Sequence, residues 1–216
     1  SESLEIMKRN TDRLLKHSNQ LMDFRKTEQK GFNLSFVEMD VNALIKDTCL
    51  RFKPAIDENN IMVELQLLPG PLLAYADSEA LSKIVSNLLD NAIKYPFKKV
   101  LIRSIADNER FEISVVNDGD SIPEKYREKI FEPFYRLEGN KTKRGSGIGL
   151  SLAKSLAELH DGALDLVREE EGQTCFVLSL PIHHDQEYAI GHDLVSEDEQ
   201  PSEKSFSKPD PEMPVI

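Results

Sequence analysis

The chain has 216 residues, 39% hydrophobic and 30% charged, which is enough for one ordinary domain with additional segments. Its formal net charge of −11 argues against a general affinity for nucleic acid. Its two cysteines, Cys49 and Cys175, lie outside any metal-ligand spacing, and no apolar run approaches the ~20 residues that a membrane-spanning helix needs.

Residues 1–29 are predicted to form one long helix that ends at Gly31. A seam recurs at intervals of three and four residues, as in a heptad pattern, and a second stripe lies one residue further round. The seam is Leu4, Met7, Thr11, Leu14, Ser18 and Leu21, and the second stripe is Leu15 and Met22. Two adjacent stripes favour a bundle helix whose partner lies outside this sequence. The alternative, an amphipathic helix packed on its own domain, leaves so wide a stripe hard to bury.

Short strands and helices alternate as far as residue 182. Helices are predicted at 41–57, 78–94, 123–131 and 148–159, with Asp40 and Asp77 as N-caps of the first two. Strands are predicted at 32–37, 61–67, 72–76, 100–105, 111–116, 163–168 and 174–180, the last two joined by a Glu-Gly turn at 171–172. Residues 137–146 are predicted to be a mobile basic loop. This order predicts an α+β fold, with a mixed sheet and helices segregated on one face.

Residues 183–216 have the composition of a flexible linker. They contain nine acidic and two basic residues, which account for −7 of the net charge, and four prolines. Residues 213–216 turn apolar again, which we interpret as the opening strand of a following domain.

The predicted helix at 78–94 carries two asparagines four residues apart, Asn87 and Asn91, on one face of an otherwise apolar run. Asparagine is a poor helix former, and its neutral amide oxygen suits Mg²⁺, which bridges substrate phosphates. Lys94 lies near the same face and supplies a cation for phosphates. We therefore favour a functional role over a solvated helix surface.

Three further stretches follow in order. The strand 111–116 runs into Asn117-Asp118-Gly119, where short polar side chains at a sheet end can meet the edge of a base, although an ordinary turn has the same composition. Next comes Phe131-Glu-Pro-Phe134, before the loop that carries Lys141, Lys143 and Arg144. The glycine run 145–149 then precedes a helix, and it matches neither a Walker loop nor the dinucleotide-binding spacing.

Together these stretches resemble the ATP-binding domain of sensor histidine kinases, in the group that includes gyrase, Hsp90 and MutL ATPases. Residues 87–95 resemble the N box, 117–122 the first glycine box, 131–134 the F box and 145–149 the second glycine box. The resemblance covers about residues 32–182, and four boxes in one order make it specific. It implies a two-layer sandwich of a mixed β-sheet with helices on one face, preceded by one long bundle helix.

The resemblance implies ATP and Mg²⁺ as cofactors, and it assigns roles by position. Asn91 would be the main Mg²⁺ ligand with Asn87 beside it, Lys94 would meet the phosphates, and Tyr95 would flank the nucleotide. Asn117 would accept from the adenine amino group, or Asp118 if the register differs by one, and Gly119 would let the backbone approach adenine. Gly145, Gly147, Gly149 and Leu150 would place backbone amides near the phosphates at a helix N-terminus. The basic loop 137–146 would act as a lid, from which Arg144, and Arg136 just before it, would contact phosphates.

The resemblance also implies a domain order: residues 1–30 as the second helix of an incomplete dimerisation and phosphoacceptor hairpin, 31–182 as the ATP-binding catalytic domain, and 183–216 as an acidic linker to a missing receiver domain. Among sensor kinases, the sequence most resembles hybrid kinases of Bacteroides type. The resemblance implies that the intact protein is a homodimeric inner-membrane sensor and that this chain is part of its cytoplasmic portion. The implied partners are ATP, the protein's own dimerisation hairpin and its receiver domain. No nucleic acid or membrane contact is expected of this chain.

Two positions depart from the family pattern. Asn117 stands where the first glycine box usually has aspartate, and Ser121 stands where it has a second glycine. Adenine binding is expected to survive, weakened because a neutral acceptor makes a weaker hydrogen bond than a charged one. None of the five histidines has the phosphoacceptor context, so the chain is expected to bind ATP·Mg without autophosphorylation and to contain no catalytic residue of its own.

Two alternatives to a kinase fragment stay open. The first is a hydrolase of gyrase or Hsp90 type, which needs a glutamate where this sequence has Asn87. The second is a module that binds nucleotide without catalysis, or only dimerises.

Overall fold

The computed structural model describes residues 2–29, 33–95, 98–119, 121–137, 145–167 and 173–182. The helices along these ranges are α1 (Glu2–Glu28), α2 (Val41–Glu58), α3 (Ser78–Lys94) and α4 (Gly149–Leu159). The strands are β1 (Phe36–Asp40), β2 (Met62–Gln66), β3 (Leu73–Asp77), β4 (Lys99–Ala106), β5 (Arg110–Asn117), β6 (Ala163–Val167) and β7 (Thr174–Pro181). None of these helices is both long and apolar enough to cross a membrane.

Five strands form one mixed sheet in the order β2-β4-β5-β7-β6. Strand β2 pairs with β4 in parallel, and the other neighbours pair antiparallel. The inner face of this sheet and the helices α2, α3 and α4 share one hydrophobic core; from the sheet it includes Val100, Ile102, Phe111, Ile113, Val115, Phe176 and Leu178. The predicted α+β fold is therefore confirmed.

Strand β1 lies later in the chain than predicted, and it is outside the main sheet. It begins at Phe36 and pairs antiparallel with β3 in a separate two-stranded sheet. The backbone N–H of Ser35 donates to the carboxylate of Asp77 at 2.8 Å, so the chain before Phe36 is fixed by a side chain and not by a strand partner. Phe32, where the strand was predicted to start, lies outside the described residues.

The predicted helix at 123–131 is instead a pair of short 3₁₀ helices, Glu124–Tyr126 and Lys129–Phe131. Their backbone hydrogen bonds join residues three apart, as from the N–H of Tyr126 to the carbonyl of Pro123 at 2.9 Å. The predicted continuous helix is therefore wrong: the stretch forms two separate turns with hydrogen bonds between residues three apart.

Both predicted N-caps are confirmed. The Asp40 side chain accepts from the N–H of Asn42 at 2.9 Å, and it also accepts from the N–H of Leu72 at 3.0 Å. The Asp77 side chain accepts from the N–H of Ala80 at 2.8 Å. Each cap satisfies a backbone donor that the first helical turn leaves without an intrahelical partner.

Helix α1 has one docked face and one exposed face. Near its C-terminal end, Phe24 belongs to the hydrophobic core, and Thr27 is buried and donates to the carbonyl of Phe24 at 2.7 Å. Asp23 pairs with Lys83 of α3 at 2.9 Å. The predicted stripes, by contrast, are exposed: Leu4 67%, Met7 67%, Leu14 70%, Leu15 56%, Leu21 37% and Met22 54%. The helix therefore packs on its own domain without burying its apolar stripes.

Both cysteines are free. Cys49 is half-buried against the hydrophobic core, and this burial raises the pKa of its thiol to about 11. It is therefore protonated near neutral pH and a poor nucleophile. The turn at 171–172, Gly31 and the predicted linker 183–216 lie outside the described residues.

Candidate nucleotide site

Asn87, Asn91 and Lys94 follow one another along α3 at intervals of four and three residues, so they lie on one face of the helix. All three are partly exposed, whereas Leu88, Leu89 and Ala92 are buried in the core. The face that carries the predicted ligands is therefore the one that the core leaves accessible.

This face meets the glycine run at both of its ends. A Cβ atom on Gly149 would lie 3.0 Å from Oδ1 of Asn87, and a Cβ atom on Gly145 would lie 3.9 Å from Nζ of Lys94. Asn91 lies between Asn87 and Lys94 on this face of α3. The structure thus brings together two stretches that are more than fifty residues apart in the sequence.

Lys94 already has a charged neighbour. Its Nζ forms an ion pair with the carboxylate of Asp90, one turn earlier on α3. Within the described residues, no hydrogen bond is made by the side-chain amide of Asn91. Asn91 is therefore the amide of this pair that is available to a ligand.

The glycine run is held by the backbone of the predicted F box. Gly147 has φ +75°, and its carbonyl accepts from the N–H of Phe134 at 2.9 Å. A Cβ atom on Gly147 would lie 2.8 Å from the carbonyl carbon of Phe134, so only glycine fits there. Helix α4 begins at Gly149 without a side-chain N-cap, which leaves its positive dipole end turned towards the glycine run.

At the C-terminal end of α3, the carbonyl of Tyr95 is enclosed by the predicted first glycine box. Nδ2 of Asn117 donates to this carbonyl at 3.1 Å, and the Asn117 side chain is buried. A Cβ atom on Gly119 would overlap the same carbonyl oxygen. The hydrogen bond does not involve Oδ1 of Asn117, the atom predicted to accept from adenine.

Asp118 was the alternative candidate to accept from adenine, but its carboxylate contacts the backbone instead. Its Oδ1 accepts from the backbone N–H groups of Lys98 and Lys99, each at 2.9 Å. Its carboxylate therefore holds the start of β4. Of the two candidates for adenine, the geometry favours Asn117.

Replacing Asn117 with aspartate, the usual residue of the family, is expected to lower the free energy of unfolding by about 2 kcal/mol. The change would place a buried carboxylate oxygen against the Tyr95 carbonyl, where Nδ2 now donates. Urea denaturation measures this. Asn117→Ala removes the donor without adding a charge and should cost less; equal losses in both variants would contradict the explanation.

The remaining predicted residues are placed less fully. Arg136 is half-buried just before the gap in the described residues, and Leu150 is half-buried in the first turn of α4. Arg144, Lys141 and Lys143 lie outside the described residues. In the part of the chain that the structure describes, no three His, Cys, Asp or Glu side chains form a metal-binding cluster.

The sequence did not predict the part that α1 plays here. Nε2 of Gln20 donates to Oδ1 of Asn87 at 3.1 Å, and Oε1 of Gln20 accepts from Oγ of Ser146 at 3.1 Å. Ser146 lies inside the glycine run, but nothing in the run's pattern indicates a contact with a helix more than a hundred residues earlier.

Comparison with known proteins identifies a family that this chain matches. The model of the histidine kinase-, DNA gyrase B- and HSP90-like ATPase family matches residues 76–184. The sensor histidine kinase TmoS of Ectopseudomonas mendocina is 30% identical over 205 residues, which cover 93% of this chain and 21% of TmoS. The chain thus spans about a fifth of this relative's length.

Solved structures agree. The nucleotide-free catalytic domain of the histidine kinase ThkA is 28% identical, with a TM-score of 0.62, over 69% of this chain and 99% of that domain. ShkA in complex with AMPPNP has a TM-score of 0.73 at 24% identity, over 84% of this chain and 38% of ShkA, a likeness of fold alone.

Proposed function

The chain belongs to the histidine kinase-, DNA gyrase B- and HSP90-like ATPase family and carries the ATP-binding catalytic region of a sensor histidine kinase, and we propose how this region acts in the whole protein. It passes the γ-phosphoryl group of ATP to a histidine of a dimerisation hairpin. An aspartate of a receiver domain then takes the phosphoryl group from that histidine. One observation carries the proposal. The face of α3 with Asn87, Asn91 and Lys94 lies against the glycine run that opens α4.

The residues of this face fit a magnesium ion shared with ATP. Mg²⁺ takes hard oxygen ligands and usually keeps several waters, with one or two protein groups and the substrate phosphates completing its shell. Asn91 offers such an oxygen, half-buried and without a hydrogen bond in the described chain. Oδ1 of Asn87 already accepts from Gln20 and packs against Gly149, so we assign the ligand role to Asn91 alone. When bound, the ion neutralises phosphate charge and orients the γ-phosphoryl group.

The chain's own groups bind and orient the phosphates. The backbone N–H groups that open α4 point along the positive end of its dipole, where an anion is stabilised. Lys94 adds a cation beside Gly145, and Asp90 restrains its side chain from the same helix. Positioning and charge neutralisation are what phosphoryl transfer chiefly requires of a protein.

Adenine would bind at the Asn117 end of the site. The hydrogen bond to Tyr95 fixes the orientation of the Asn117 amide, so that its Oδ1 is the acceptor left for the adenine amino group. Gly119 permits close packing of this strand end on the end of α3. Arg136, and Arg144 from outside the described residues, would contact phosphates from the lid.

We propose that the histidine that accepts the phosphoryl group lies outside this chain. Nδ1 of His160 lies 2.7 Å from the carbonyl of Leu156 and must donate to it, and Nε2 accepts from the N–H of Asp77 at 3.2 Å. Nδ1 thus fixes the ring on its own helix, and Nε2 holds the end of α4 to the start of α3. His17 lies on α1, half-buried, outside any phosphoacceptor motif.

The surroundings of the site follow from the same proposal. Residues 1–30 would be the second helix of the dimerisation hairpin, 31–182 the catalytic domain and 183–216 a linker to a receiver domain. The exposed stripes on α1 support a bundle partner and a homodimer in the intact protein. A hybrid kinase of Bacteroides type, anchored in an inner membrane with this part in the cytoplasm, is the arrangement that the sequence resemblance suggests.

Replacement of Asn91 by alanine tests the proposal. We expect the wild-type chain to bind the ATP analogue AMPPNP, and Asn91→Ala to weaken this binding by at least about tenfold with Mg²⁺ and much less in EDTA, because the lost group is a metal ligand. Titration calorimetry measures both conditions.

Asn10→Ala, an exposed asparagine on α1, is the matched control and should bind like wild type. No binding to the wild-type chain at millimolar AMPPNP would overturn the function and favour a module that only dimerises. Rapid phosphate release from ATP would instead favour a hydrolase.

A further inference from the structure

The side-chain amide of Gln20 joins three elements at the phosphate end of the site. From α1, its Nε2 reaches Asn87 of α3 and its Oε1 reaches Ser146 of the glycine run, both at 3.1 Å. Oγ of Ser146 also accepts from the N–H of Ile148 at 3.3 Å, immediately before α4. One amide thus uses a donor and an acceptor to bridge the helix, the predicted N box and the glycine run.

The bridge fixes groups next to the proposed ligands and does not occupy the ligands themselves. It involves Asn87 and Ser146, whereas the side-chain amide of Asn91 has no hydrogen bond in the described chain and Lys94 pairs with Asp90. Oδ1 of Asn87 is then held against Gly149, the first residue of α4. The geometry therefore indicates support of the phosphate site and not competition with the phosphates.

Gln20 lies on the docked face of α1. Asp23, Phe24 and Thr27 follow it at intervals of three, four and seven residues, and they fix this face through the Lys83 ion pair and the hydrophobic core. The burial of Lys83 opposes its charged form, but the carboxylates of Glu79 and Asp23 outweigh that effect and raise its pKa, so this ion pair persists. A displacement of this docked face would therefore move Gln20 relative to Asn87 and Ser146.

We propose that Gln20 is a positioning residue for nucleotide binding, through which the docking of α1 and the binding of ATP strengthen each other. The inference rests on the proposed function, because it requires nucleotide at this site. Docked α1 holds the glycine run in its ligand-ready arrangement, and by linkage bound nucleotide holds α1 in place. Since the opposite face of α1 carries the exposed stripes, a bundle partner that shifts the helix would change the affinity for nucleotide.

The test compares Gln20→Met with wild type. Methionine keeps the side-chain length and helix propensity and removes both hydrogen bonds. We expect AMPPNP·Mg affinity to fall about three- to tenfold, while the melting temperature without nucleotide changes little. Asn19→Met introduces the same side chain at the neighbouring exposed position and should bind like wild type.

Two further measurements separate positioning from a structural role. Ser146→Ala should weaken binding, and Gln20→Met combined with Ser146→Ala should be hardly weaker than Gln20→Met alone, because both changes break one bridge. AMPPNP should also slow tryptic cleavage after Arg25 and Lys26, exposed residues of α1, in wild type but not in Gln20→Met.

Each other result is decisive. Wild-type affinity in Gln20→Met, or additive losses in the double variant, would overturn the inference while leaving the proposed function intact. Tighter binding in Gln20→Met would overturn it in favour of a helix that competes with nucleotide. Failure of the wild-type chain to bind AMPPNP would remove the proposed function and the inference together.

Discussion

Gly119→Ala is expected to lower the free energy of unfolding by about 3 kcal/mol. It is expected to weaken nucleotide binding only as far as it lowers the fraction of folded protein. An added Cβ atom would overlap the carbonyl oxygen of Tyr95, and it would lie 2.8 Å from Nδ2 of Asn117 and 3.1 Å from the Tyr95 carbonyl carbon. Most of this obstruction is backbone, which no change of rotamer can relieve. The end of α3 must therefore move away from the end of β5, and the buried Asn117–Tyr95 hydrogen bond must break.

Urea denaturation measures the stability of Gly119→Ala, and AMPPNP titration under native conditions measures its binding. Gly145→Ala is the matched control, because a Cβ atom there has only Nζ of Lys94 within 4 Å, at 3.9 Å. That variant should differ little from wild type in stability. If Gly119→Ala were as stable as Gly145→Ala, the close packing of the first glycine box on α3 would be wrong.

Features of the fold that depend on neighbouring residues could be predicted from the sequence. Helices α2 and α3 begin where Asp40 and Asp77 cap them, because a cap and a helical period are local patterns. The separate pairing of β1 with β3 was not predicted, since alternation marks a strand without indicating its partner. The 3₁₀ helices before Phe131 were missed for a related reason: a short apolar period does not distinguish the two helix types.

The site divides in the same way. The spacing of Asn87, Asn91 and Lys94 was sufficient to place them on one face of α3, and the structure adds that this face meets the glycine run. The contact with Gln20 could not be predicted, because it depends on how α1 docks, and two hydrogen bonds leave no periodic signal. Whether Asn117 or Asp118 would face adenine also depends on contacts with the end of α3 and the start of β4.

The two faces of α1 explain why its pattern admitted two interpretations. The apolar stripes favoured a bundle, and they are exposed, whereas Phe24 and Thr27 pack on the same domain. A helix that is docked on one side and uncovered on the other can respond to a partner and transmit the change. In the described residues, Gln20 connects this helix to Asn87 and Ser146 of the proposed nucleotide site.

Gly147→Ala is expected to lower the free energy of unfolding by about 3 kcal/mol and to weaken AMPPNP·Mg binding more than tenfold. Two effects add. Gly147 has φ +75°, which costs an L-residue roughly 1–2 kcal/mol, and a Cβ atom would lie 2.8, 2.9 and 3.1 Å from the carbonyl carbon, Cα and oxygen of Phe134. Phe134 itself has φ +65°, so neither segment has an easy way to yield. The glycine run must separate from Phe134, and its amides move with it.

Gly70→Ala separates the two effects, because Gly70 has φ +83° and a Cβ atom there would have nothing within 4 Å. It should lose the conformational part of the stability alone and bind AMPPNP·Mg like wild type. Denaturation and titration of both variants therefore measure how much the contact with Phe134 contributes. If Gly147→Ala lost no more than Gly70→Ala in stability and kept its affinity, the F box would not position the glycine run. A larger loss of stability and affinity in Gly147→Ala than in Gly70→Ala would instead mean that backbone packing of the glycine run on Phe134 positions the backbone amides proposed to bind phosphate at the start of α4.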